Sequence, residues 1–77
     1  MRFHSAHLFD QTTHQIVKGY LENIAMTPIH FRYPARAAHQ LHAGDTVRTD
    51  VMKYGILTVK PYGQRRKEAV LVNPNLI

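Results

Sequence analysis

Three consecutive cations, Arg65-Arg66-Lys67, follow Tyr62 and Gly63, with Lys60 just ahead of them. Lys53 and Tyr54 stand where a hairpin tip is expected, and Arg48 stands on the polar side of an alternating stretch. Lysine and arginine neutralise phosphates and release condensed counterions, so the affinity they supply falls steeply with salt. Tyr54 and Tyr62 add π-faces on which exposed bases can stack. An arginine carried on a strand or ribbon can instead reach a guanine edge in the major groove. The alternative is a solvated turn that happens to be basic.

The charge is unevenly placed. Residues 1–31 hold Arg2 and Lys18 against Asp10 and Glu22, which cancel. Residues 32–77 hold eight cations against Asp45, Asp50 and Glu68, and so carry the whole net charge of +5. Asymmetry of this kind points to a polyanion or an acidic protein partner.

Other chemistry is weaker. Six histidines include two HxxH pairs, His4/His7 and His39/His42. On a helix the second pair would share a face. A metal site needs three or four converging ligands, and no cysteine supplies one. No metal or other cofactor is expected. A phosphate-cleaving site would draw on His30, His39 and His42 beside Arg36, with histidine as general acid or base. No Gly-rich phosphate loop accompanies them, and a chain of 77 residues offers little room for an enclosed pocket. The expectation is therefore no enzyme and no catalytic residue.

Length bounds the architecture to one small domain, residues 1–77. So short a chain buries a thin core, and a homodimer is the default remedy. The absence of cysteine rules out disulfides and fits a cytoplasmic location. No apolar run approaches the roughly 20 residues of a membrane helix. The N-terminus lacks the apolar core of a signal peptide.

Periodicity suggests the elements that position these residues. Residues 2–9 read as extended, and Asp10 to His14 as a polar break. Over 12–26, Ile16, Val17, Tyr20, Leu21 and Ile24 fall on one helical face, and Thr12 and Gln15 have capping-box spacing. A strand there would put Lys18 and Glu22 on the face of Ile16 and Tyr20, so a helix is preferred, despite Gly19. Thr27-Pro28 ends it. Residues 29–33 alternate, with Ile29, Phe31 and Tyr33 facing one way and His30 and Arg32 the other. Pro34 suits the start of a short helix over 35–43, and Gly44 its end, where φ is positive. Residues 46–51 alternate again. Met52 to Gly55 is the expected hairpin connection, 56–60 the return strand, 62–67 a basic loop, and 68–72 a last strand.

The stretch from Pro34 to Gly63 resembles the SpoVT/AbrB family, which includes AbrB-type transition regulators, MazE-type antitoxins and SymE-type proteins. The matching residues are Arg36, Leu41, Gly44, Asp45, Val47, Gly55, Leu57, Val59 and Pro61. The resemblance implies a swapped-hairpin barrel, an obligate dimer, and DNA contacts from Arg32 and Arg36.

The expected fold is α+β and β-rich, a small barrel-like sheet with one helix and one short helical turn, in the order β-α-β-α-β-β-β. Its core would draw on Phe3, Ile16, Leu21, Ile24, Ile29, Phe31, Leu41, Val47, Val51, Ile56, Leu57, Val59, Val70 and Val72. The expected function is a basic nucleic-acid-binding protein, a DNA-binding regulator or antitoxin-like factor, with DNA favoured over RNA. The alternatives are an interaction module or inhibitor docking on an acidic surface, or a single-stranded RNA binder. The contact residues would be Arg32, Arg36, Arg48, Lys53, Tyr54, Lys60, Tyr62, Arg65, Arg66 and Lys67.

Overall fold

Residues of alternating character make strands when one face can be buried, and here six of them roll into a closed antiparallel barrel. The structure, a computed structural model, describes residues 2–22 and 28–76. The strands are β1 (Phe3–Asp10), β2 (Gln15–Glu22), β3 (Ile29–Pro34), β4 (Thr46–Arg48), β5 (Lys53–Tyr62) and β6 (Arg66–Val72). Around the barrel they run β1-β2-β3-β6-β5-β4, and β4 closes on β1. Two three-stranded meanders are thus joined by one crossover, residues 35–45. A single turn of 3-10 helix, Pro74–Leu76, follows β6 and lies against β5.

The α+β expectation is overturned, because no α-helix occurs among the described residues. The expected helix over 12–26 is instead the strand β2, with residues 23–27, and so Ile24, outside the described residues. Positions i, i+1, i+4 and i+5 fit one face of a helix, but they also fit both faces of a strand. In β2 the odd residues Val17 and Leu21 are buried, while Ile16 is 59% exposed and Tyr20 is 49% exposed. Gly19 decides the matter. It pairs with Ala6, and a Cβ built there would fall on the Arg32 carbonyl oxygen and 2.6 Å from Phe31 Cζ. The missing side chain leaves room for the Phe31 ring against β2.

The short helix expected over 35–43 is also absent, and this segment crosses one end of the barrel as irregular chain. Tertiary contacts replace helical hydrogen bonds. Leu41 is buried, its N–H donating to the Tyr33 hydroxyl at 3.3 Å. Gln40 Nε2 donates to the carbonyls of Ala35 and Ala37 at 3.1 and 2.9 Å. His39 Nε2 lies 2.9 Å from Oδ2 of the fully buried Asp10. Asp10 Oδ1 in turn accepts the Thr12 N–H at 3.0 Å, so one carboxylate ties the β1–β2 turn to the crossover. Gly44 takes φ of 90°, as expected, in a turn closed by Asp45 N–H donating to His42 O. That positive φ serves a β-turn rather than a helix end.

Gly55 is not a hairpin residue. It sits inside the sheet on β5, opposite Thr46 and Val72. The turn lies earlier, where Thr49 Oγ1 accepts the N–H groups of Val51 and Met52 at 3.1 and 3.0 Å. Val51, placed at that turn, is 81% exposed rather than core. Leu57 is also exposed, because a register shift between Ile56 and Thr58 turns it outward. The strand continues through Pro61 to Tyr62. Beyond Gly55 the far edge of β5 has no ladder with β4, so a residue without an N–H is tolerated there.

The interior is filled by Leu8, Val17, Leu21, Ile29, Phe31, Tyr33, Leu41, Val47, Tyr54, Ile56, Ala69 and Leu71. No helix among the described residues is long and apolar enough to cross a membrane.

Candidate nucleic-acid interface

Pairing register sets which side chains meet on the outside. Tyr20 on β2 pairs with Arg32 on β3, Arg32 with Glu68 on β6, and Glu68 with Lys60 on β5. One row further along, Pro34 pairs with Arg66, and Arg66 with Tyr62. Four adjacent strands thus present tyrosines interleaved with cations on one outer face. The β5–β6 turn, with Gly63 at φ of 72°, brings Arg65 to the end of this face. Ala35 N–H donates to Arg65 O at 2.9 Å, which sets the exposed Arg36 beside the same turn.

Arg32 is the centre of the arrangement. Its guanidinium lies over two rings, 4.1 Å from the Phe3 centroid and 3.9 Å from the Tyr62 centroid. Its Nε donates to Glu68 Oε2 at 2.9 Å, and His30 Nδ1 lies 3.2 Å from Oε1 of the same carboxylate. Arg66 lies 5.8 Å from the Tyr20 ring centroid. Cation–π contacts of this kind are worth roughly 0.5–1 kcal/mol at exposed sites and more when desolvated. Glu68 therefore acts as an anchor that holds Arg32 between the rings.

Burial raises the Glu68 carboxyl, but the hydrogen bonds and charges of Arg32 and His30 together outweigh it and hold it below its ordinary value of 4.5. A carboxylate lowered in the folded state stabilises fully above its unfolded value. That contribution is lost as pH falls through the lower, folded value. Thermal melts taken through the acid range should show this component in the wild type and not in Glu68→Gln. Equal acid slopes for the two proteins would deny Glu68 the anchoring role.

The contact residues expected from sequence divide three ways. Arg32, Arg36, Lys60, Tyr62, Arg65 and Arg66 gather on or beside this face, whereas Lys67, half-buried and paired with the inward-facing Tyr33, projects to the other side of the sheet. Arg48 and Lys53 pair with each other across β4 and β5. β4 lies three strands from β3 in either direction around the barrel, so this pair forms a separate, smaller patch. Tyr54 is buried opposite Val47, and burial raises its hydroxyl above the usual 10.0. It is a core residue without an open ring face for stacking. Phe3 and Tyr20 were not among the expected contacts. Strand parity at 15–22 would have exposed Tyr20, had the Gly19 gap been recognised as a packing site.

Burial also redistributes the charge. Asp10, Glu22 and Glu68 are buried, leaving Asp45 half-exposed and Asp50 exposed. No arginine or lysine is buried. The outer surface is therefore more uniformly cationic than the composition implies. His39 is engaged with Asp10, and His42 Nδ1 lies 3.8 Å from Asp45 Oδ2. Among the described residues no three or more His, Cys, Asp or Glu side chains group to hold an ion.

No protein family, curated protein or solved structure matches the chain. The geometry of the face itself must carry the functional reading.

Proposed function

We propose that this protein binds nucleic acid, and that its contact surface is the outer face of β2-β3-β6-β5. The observation that supports the reading is the interleaving of Tyr20 and Tyr62 with Arg32, Arg66 and Lys60 across adjacent strands. Tyr20 and Tyr62 remain 49% and 42% exposed, which leaves ring surface open to a partner. Rings on a sheet stack on unpaired bases, and flanking cations follow the backbone. This chemistry favours single-stranded RNA or DNA over duplex. A duplex hides its base faces, so exposed rings gain no stacking there.

The test is a set of salt titrations with labelled single-stranded RNA, single-stranded DNA and duplex. Single strands are expected to bind most tightly, with affinity falling steeply between about 50 and 200 mM salt. Tighter binding to duplex than to either single strand would return the face to a DNA-binding regulator. Negligible binding to all three at low salt would overturn the reading. It would then leave the Tyr- and Arg-rich face to an acidic protein partner, for which these residue types also serve.

A further inference from the structure

β4 is three residues long, whereas its neighbour β1 has eight. Their ladder pairs Phe9 with Arg48 and Asp10 with Val47, then stops where the Thr49 turn leads the chain away. Among the described residues β1 has no strand partner on this side from Phe3 to Leu8. The register shows which backbone groups are left open. Gln11 N–H donates to Thr46 O across this same side at 2.9 Å. Backbone groups alternate sides along a strand, so those of Phe3, Ser5 and His7 also point this way. A groove of about 550 Å³ follows them, between His4–His7 and the Thr49–Met52 turn.

An unpaired edge is a template for another strand unless charge, proline, a bulge or a covering element blocks it. β5 also outruns β4, and its open edge carries such protection. It has the register shift at Ile56/Thr58, then Lys60 and Pro61, and the 3-10 helix lies against the strand. On β1 neither charge, proline nor a bulge blocks the edge, and the Thr49–Met52 turn stands across the groove from it. Residues 3–9, FHSAHLF, contain no Lys, Arg, Asp, Glu or Pro, and their pairing with β2 is regular. The strip itself carries no lysine or arginine to repel a second copy of a chain with net charge +5. Val51 and Met52 stand exposed on its rim.

We propose that the open edge of β1 pairs with the same edge of a second copy, antiparallel and two-fold symmetric about Ser5. This register sets Ser5 against Ser5, and Phe3 of each copy against His7 of the other. All three open residues then exchange both of their backbone hydrogen bonds. Moving the centre to Ala6 would set Phe3 against Phe9, which is already paired with Arg48. The interface leaves the β2-β3-β6-β5 face uncovered except near Phe3, so it stands independently of the nucleic-acid reading.

The chain has no cysteine, which makes the register directly testable. A hydrogen-bonded antiparallel pair holds its Cα atoms about 5.5 Å apart, within reach of a disulfide. Ser5→Cys should give a covalent dimer on mild oxidation. Phe3→Cys and His7→Cys should each cross-link poorly alone and readily when mixed. Wild-type mass in solution should rise with concentration from 8.9 kDa to twice that. Ser5→Pro removes an N–H that faces the opening and no hydrogen bond to β2, so it should stay folded by circular dichroism yet lose the dimer. A wild type that remains monomeric at every concentration overturns the proposal. So does a dimer in which Ser5→Cys cross-links no faster than a control cysteine at Thr58.

Discussion

A variant carrying alanine at Arg65, Arg66 and Lys67 will bind single-stranded oligonucleotides roughly 15- to 50-fold more weakly at physiological salt. Each phosphate neutralised on a single strand contributes about 0.7 to the slope of log affinity against log salt. Arg65 and Arg66 are exposed at the end of the tyrosine-bearing face, and Lys67 is half-buried on the other side of the sheet. Loss of two to three phosphate contacts should reduce the slope by about 1.4–2.1. Carried from about 1 M salt, where this term vanishes, to about 0.15 M, that change produces the stated loss. Tyr62→Ala should behave differently. It removes a stacking surface worth about 1–3 kcal/mol per base and leaves the slope nearly unchanged. Fluorescence anisotropy over a salt series separates the two. A triple variant that keeps its thermal midpoint and its salt slope would remove the β5–β6 turn from the contact surface.

Gly19→Ala will destabilise the fold by about 2–3 kcal/mol, because the added methyl overpacks a filled interior. For a domain of this size that lowers the thermal midpoint by roughly 10–20 °C. The methyl would meet the Arg32 carbonyl oxygen, which is backbone of the adjacent strand, and the fully buried Phe31 ring. Neither can move without opening the β2–β3 ladder at Tyr20/Arg32 and Leu21/Phe31. Gly63 provides the contrast. Its φ of 72° disfavours a side chain, yet nothing lies within 4 Å of its added Cβ. Gly63→Ala should therefore cost about 1–2 kcal/mol, from backbone conformation alone. Melting curves of the two variants compare these costs directly. Equal or smaller loss in Gly19→Ala would mean that β2 and β3 pack more loosely than this geometry allows. The same substitution should weaken oligonucleotide binding, since the displaced carbonyl belongs to Arg32.

Local pattern was enough for some elements and positions. The alternation of Ile29, Phe31 and Tyr33 with His30 and Arg32 placed β3 and its two faces, because a strand's side chains alternate whatever its neighbours are. Gly44-Asp45 announced a turn with positive φ, since that conformation suits glycine in any context. The crowding of cations after residue 31 was a matter of composition, and the Tyr62-to-Lys67 segment remained the richest in candidate contacts once folded.

Long-range pairing decided the rest. The spacing of Ile16, Val17, Tyr20 and Leu21 satisfies a helix and a strand equally. The choice depended on Phe31, twelve residues from Gly19, needing the space that a glycine leaves. Tyr54 and Tyr62 look alike in sequence, but strand parity and the register shift on β5 send one inward and the other out under Arg32. The acidic residues cancelled cations in the composition, yet three of the five are buried. Closure of a barrel joins residues far apart in the chain, and no local periodicity encodes which of them will meet.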